Sequence, residues 1–146
     1  MLSVIVTSGN PQRLPGLLAA LIPGVVESVV REVTIVSAGA PQLLEALCDA
    51  TGARLAAGLA EAVAGARSDW LLVVPPELRL RDGWVERLAD HLREGGGAAR
   101  LHGLSEGLLR RPAQGLVISR AAAAGSAQGG LQGLARKLGR RARRLR

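Results

Sequence analysis

Two hydrophobic patterns alternate along this chain: short continuous apolar runs, and stretches in which apolar residues recur every three or four positions. The first is the mark of buried strands and the second of helices packed on them. Residues 3–7 (Ser-Val-Ile-Val-Thr) are rich in β-branched side chains and predict a first strand. Ser8-Gly9-Asn10-Pro11 then reads as a turn, followed by a helix over 12–21 with Leu14, Leu17, Leu18 and Leu21 on one face. Pro15 falls in its first turn, where a proline is tolerated, and Pro23-Gly24 predicts its end. Residues 25–30 fit either a helical turn or an extended connector, and 32–36 predict a second strand. Helices are expected over 41–50 and 55–66, with Gly52 between them, and a third strand over 70–74. A helix over 82–94 should have Asp82 as its N-cap, with Val85, Leu88, Ala89 and Leu92 on one face and Gly95-Gly-Gly97 closing it. Further on, 115–119 predict a strand, 120–124 a short helix, 127–133 a glycine-rich link, and 131–146 a terminal helix.

This alternation of strand and helix predicts an α/β layer with a mainly parallel sheet of about four strands flanked by helices. At 146 residues the chain reads as one core-bearing domain over 1–130 plus the terminal helix over 131–146. Aromatic residues are confined to Trp70 and Trp84, so Leu, Val, Ile and Ala must fill the interior. Both tryptophans read as packing residues. Cys48 is the single cysteine, which excludes an internal disulfide and a cysteine-based zinc cluster. Beside Leu44 and Leu47 it reads as a buried thiol. His91 lies next to the Leu88/Leu92 stripe and His102 in a loop, without metal-ligand spacing. No P-loop, dinucleotide fingerprint or nucleophile elbow is present. The chain shows no charged leader, and no apolar run reaches the roughly 18 residues of a membrane span, so a cytoplasmic protein is expected.

Charge changes the picture at one end. The net charge is +7, and residues 131–146 hold seven of the 19 basic residues and none of the 12 acidic ones. Arg136, Lys137, Arg140, Arg141, Arg143, Arg144 and Arg146 surround an apolar stripe of Leu131, Leu134, Leu138, Ala142 and Leu145. The stripe suits a helix docked on the domain or one at the anionic inner face of a membrane; the basic residues also fit a solvated basic end, or nonspecific contact with nucleic-acid phosphates. The last would lack base stacking, because no aromatic interleaves the arginines.

Parallel α/β sheets bind ligands at the carboxyl ends of their strands, here after Thr7, Val36 and Val74. The segment Trp70-Leu-Leu-Val-Val-Pro-Pro-Glu-Leu-Arg-Leu-Arg-Asp-Gly-Trp84, with the opening Leu2-Ser-Val-Ile-Val-Thr-Ser-Gly-Asn10, resembles the nucleotide-sugar glycosyltransferases of the GT-A fold, the family-two-like enzymes in particular. That resemblance implies a reduced GT-A (Rossmann-like) domain, with a nucleotide-sugar at Thr7, Ser8, Asn10, Ser37 and Gly39 and a Mg²⁺ or Mn²⁺ ion at Glu77. The departures are chemical. The family's acid in the first turn is Pro11, the second turn reads Ser37-Ala-Gly-Ala-Pro41 without its acids, and the third reads Pro75-Pro76-Glu77 where an Asp-x-Asp is usual. One carboxylate is a weak site for a hard divalent ion. The step from Arg54 into Leu55 also implies a lost strand. No catalytic base is assigned, since Glu106 reads as a solvated loop acid. The expectation is therefore a glycosyltransferase-like protein with impaired donor binding. The alternatives are an inactive GT-A-fold binding or partner protein, and peripheral association with membrane or nucleic acid through the tail.

Overall fold

The computed structural model describes residues 1–8, 11–37, 41–105, 108, 111–125, 130–138 and 142–145. Along the chain run β1 (Leu2–Val6), a 3-10 turn (Pro11–Arg13), α1 (Leu14–Val26), β2 (Val30–Val36), α2 (Pro41–Thr51), β3 (Arg54–Ala56) and α3 (Leu59–Gly65). Then come β4 (Trp70–Val74), α4 (Trp84–Arg93), β5 (Ala99–His102), β6 (Gln114–Ser119), α5 (Arg120–Ala124), α6 (Gly130–Leu138) and β7 (Arg143–Leu145). Among the described residues the strands form one sheet of seven in the order β3-β2-β1-β4-β6-β5-β7. Only β6 runs against its neighbours; the other pairings are parallel.

The central strands are buried on both faces, which is why β1 and β4 read as unbroken apolar runs. Leu72 and Val74 of β4 face one core with Leu2, Val4 and Val6, against Leu14, Leu17 and Leu21 of α1 and Trp84, Val85 and Leu88 of α4. Leu71 and Val73 face the other, with Ile5, against Leu59 and Val63 of α3, Ala123 of α5 and Leu134 of α6. Each fully buried Val or Leu contributes about 1.5–3 kcal/mol, so the two-sided sheet is the main source of cohesion.

Several expectations are corrected. The sheet has seven strands rather than about four. Arg54–Ala56, expected to open a helix after a lost strand, is edge strand β3, parallel to Thr34–Val36. Pro23-Gly24 does not end α1. The helix runs one turn further and stops where Ser28 turns left-handed (φ 59°), with Glu27 N–H donating to the Pro23 carbonyl at 2.9 Å. Gly24 is instead a notch: a Cβ there would lie 2.5 Å from the Trp84 ring. Asp82 is not the N-cap of α4; Gly83 takes that place with φ 75° and no side chain caps the helix. The tail is not helical throughout: its described helix is Gly130–Leu138. Beyond it β7 adds to the open edge of β5, pairing Arg144 with Arg100 and Leu145 with Leu101.

Among the described residues no helix is long and apolar enough to cross a membrane. Cys48 is buried as expected, and loss of solvation, with Asp49 and Glu45 nearby, pushes its thiol pKa up. Trp84 and His91 are buried, the His91 Nε2 at 2.8 Å from the Gly97 carbonyl. His102 closes β5 rather than lying in a loop.

Candidate functional site

At the carboxyl edge of the parallel strands, β1 ends at Val6 and β2 at Val36, while β4 runs into two prolines. Thr7 continues the β1 ladder, its N–H donating to the Val74 carbonyl at 2.9 Å and its hydroxyl reaching the same oxygen at 3.4 Å. Ser37 likewise prolongs β2, donating its N–H to the Ala56 carbonyl at 2.8 Å. Pro75 to Leu78 is a turn closed by the Leu78 N–H on the Pro75 carbonyl at 3.1 Å. Proline supplies no donor to a ladder, so β4 ends there; Pro76 and Leu78 are buried, and the intervening Glu77 is exposed.

A crevice of about 230 Å³ lies between this turn and the start of α1, lined by Gln12, Arg13, Gly16, Leu17, Pro76, Glu77, Leu78 and Arg79. Two guanidinium groups and a carboxamide thus share the crevice with one carboxylate. Among the described residues larger cavities lie elsewhere, including an apolar one of about 560 Å³ between α1 and α2, one of about 610 Å³ between α3 and α5, and one of about 330 Å³ between β3 and α3.

Thr7, Ser8 and Ser37 stand on the same sheet edge as Glu77, but none of them lines its crevice. Asn10 and Gly39 lie outside the described residues, as do Arg140, Arg141 and Glu106. Arg136 is exposed on α6 and Lys137 follows it there; Arg143 and Arg144 are on β7, exposed, with Arg143 Nη1 at 3.2 Å from Glu94 Oε2. Sequence reasoning missed Gln12, Arg13 and Arg79. A signal for Arg79 was present: in Glu77-Leu78-Arg79-Leu80 the leucines turn inward, leaving Glu77 and Arg79 on the outer side.

Metal chemistry fits poorly. Among the described residues no three His, Cys, Asp or Glu side chains gather as a ligand set. A Mg²⁺ or Mn²⁺ ion at Glu77 would find a single carboxylate among the described lining residues, whereas such ions favour several oxygen donors. Guanidinium forks, by contrast, match phosphate oxygens in shape and charge.

The edge of the sheet described here belongs to an α/β fold of the GT-A-like, Rossmann-like kind. The same architecture is found in a solved structure, "4-diphosphocytidyl-2C-methyl-D-erythritol synthase", with a TM-score of 0.56 over 99% of this chain and 88% of that one. Identity between the two is 14%, so the likeness speaks for the fold alone. No family profile and no curated protein matches the chain.

Proposed function

We infer that this chain binds a nucleoside diphosphate group, as carried by a nucleotide-sugar, at the carboxyl edge of its sheet. The diphosphate is held by Arg13 and Arg79 where a metal clamp would otherwise act. The observation that carries this reading is the crevice itself, lined by Gln12 and Arg13 from the start of α1 and by Glu77 and Arg79 from the exit of β4. The turns after β1 and β2, with Thr7, Ser8, Asn10, Ser37 and Gly39, are the places for the nucleoside. The glycosyltransferase resemblance supports a nucleotide-sugar as ligand; the diphosphocytidyl group in the name of the solved structure adds cytidine nucleotides to those worth testing.

Glycosyl transfer asks for more. An acceptor hydroxyl needs a deprotonated base within hydrogen-bond reach, and among the described residues Glu77 is the one carboxylate lining the crevice. It cannot serve as both sole metal ligand and base, which favours a binding protein over a transferase.

Calorimetry with UDP, GDP and CDP, with and without Mn²⁺, tests this. Binding near micromolar strength (about −8 kcal/mol) without metal is the expected result, weakened about tenfold by Arg13→Ala or Arg79→Ala. Absence of heat at millimolar nucleotide would end the proposal, and strict dependence on Mn²⁺ would end its metal-free form.

A further inference from the structure

α1 is a surface helix without a polar side. Its sequence, Leu-Pro-Gly-Leu-Leu-Ala-Ala-Leu-Ile-Pro-Gly-Val-Val, holds no charged, hydroxyl or amide side chain. A helix that is apolar all round is normally buried all round. At 13 residues this one is too short to cross a membrane, and its inner side alone, with Leu14, Leu17 and Leu21, is packed into the core. At the helical period, Pro15, Ala19, Ile22 and Val26 form an outward row, and all four are exposed, Val26 at 75% and Ile22 at 57%.

Beside that row runs the apolar groove of about 560 Å³, lined by Ile22 and Val25 from α1 and by Leu47 and Ala50 from α2. Leu43, 60% exposed, stands one turn before Leu47 on the same side of α2. Of the seven large apolar side chains exposed among the described residues, four (Ile22, Val25, Val26 and Leu43) thus belong to the lips of one groove. The α1 lip is fixed. Ser28 N–H donates to the Val25 carbonyl at 3.1 Å and Val29 N–H to the Gly24 carbonyl at 2.9 Å. The inner side is closed to these residues, since even a Cβ at Gly24 would lie 2.5 Å from the Trp84 ring.

Charge at this face is sparse and balanced. Arg31 is exposed and lines the groove, and Glu27 is exposed directly after Val26. Among the described residues neither forms an ion pair, and Arg31 Nη1 donates to the Arg67 carbonyl at 3.4 Å. Glu32, also in the lining, is already bonded to Ser3, Arg54 and Arg67. The acids of α2, Glu45 and Asp49, each fall two residues beyond Leu43 and Leu47. That is about 200° around the helix, on its far side.

We propose that the α1–α2 face joins two copies of this chain about a two-fold axis. The Ile22/Val26 ridge of each copy lies in the groove of the other, and Glu27 of each stands opposite Arg31 of the other. Such a contact requires a surface complementary to itself. This face is so in shape, with a ridge beside a groove, and in charge, with one unpaired acid and one unpaired base. A small apolar ligand in the groove would leave Val26 and Leu43 in water, and an anionic bilayer would attract Arg31 but repel Glu27. The Arg13/Arg79 crevice takes Gly16 and Leu17 from another side of α1, so the proposal does not depend on what that crevice binds.

The test is sedimentation equilibrium of the full chain over a range of concentrations. A monomer–dimer equilibrium with a dissociation constant in the micromolar range is expected. Val26→Asp places a carboxylate in the apolar contact and should raise that constant at least about a hundredfold. Glu27→Arg and Arg31→Glu should each raise it about tenfold by opposing like charges. The two changes in one chain restore opposite signs and should recover most of the affinity. Circular dichroism of each variant checks that the fold is kept. Four results would overturn the proposal: a monomer at every concentration up to about 1 mM, association that continues beyond the dimer, a dimer indifferent to Val26→Asp, or a double reversal no tighter than the single ones. Vesicle binding by a chain that stays monomeric, lost in Val26→Asp, would assign the face to lipid and overturn it equally.

Discussion

The two ends of the parallel strands are built on opposite terms. At the amino edge a carboxylate is held from every side: Glu32 accepts from the Ser3 hydroxyl at 2.9 Å, the Arg67 N–H at 2.7 Å and Arg54 Nη1 at 3.4 Å, and Ser3 in turn accepts from the Ser68 N–H at 3.2 Å. These groups come from β1, β2, β3 and the approach to β4, so one acid ties four strand starts together. At the carboxyl edge, where parallel α/β sheets commonly bind ligands, Glu77 is exposed on a proline turn and lines a crevice with Arg13 and Arg79. The lesson is one of use. Glu32, bonded to groups from four strand starts, serves cohesion, while the exposed Glu77 borders a crevice at the opposite edge.

The sharpest way to break this contrast is to remove each acid in turn. Glu32→Ala leaves the Ser3 hydroxyl and the Arg67 N–H without their shared acceptor. It should cost about 2 to 3 kcal/mol of stability in urea denaturation. Glu77→Ala should stay within about 0.5 kcal/mol of the parent in the same experiment. Equal losses would abolish the distinction between the edges.

Acid titration sharpens it further. Burial raises the Glu32 pKa, but the bonds from Arg67 N–H, Ser3 and Arg54 outweigh that and hold it below the ordinary 4.5. A carboxylate with a depressed folded pKa stabilises fully above its unfolded value, and that stability is lost as pH falls through the folded one. Stability measured from neutral pH downward should therefore decline below about pH 4.5, near the ordinary glutamate range. In Glu32→Gln this part of the decline should be missing.

The smallest stability effects belong to the crevice arginines. Arg13→Ala and Arg79→Ala should change denaturation midpoints little, as surface substitutions do, while weakening any nucleoside diphosphate binding about tenfold. A marked loss of stability would show that these arginines belong to the framework instead.

How much of this could be read from the sequence varies by element. β4 was legible because both faces of Leu71 to Val74 are buried, so every position is apolar. β3 and β7 were not, since each has three residues and at least one of them is an arginine; ladders with β2 and β5 make them strands. β5 carried a period-two signal, Ala99 and Leu101 inward with Arg100 and His102 between, in four residues only. At the site, the turn bearing Glu77 followed from the resemblance. The pairing of Arg13 with Arg79 did not, because two segments distant in sequence meet there only through the packing of α1 against the exit of β4.

The notch at Gly24 has a consequence beyond this one molecule. A side chain there meets the Trp84 ring at 2.5 Å and Val30 at 2.8 Å, so the size of residue 24 and that of residue 84 are not independent choices. Gly24→Ala alone should destabilise by about 1 to 3 kcal/mol through overpacking, and Trp84→Leu alone by a comparable amount through the void it opens. Together the two should recover part of the loss, a coupling that a double-mutant cycle measures. Such a pair drifts through descent as a single heritable unit, and in lineages that carry this fold a smaller residue at 84 should be found alongside a larger one at 24.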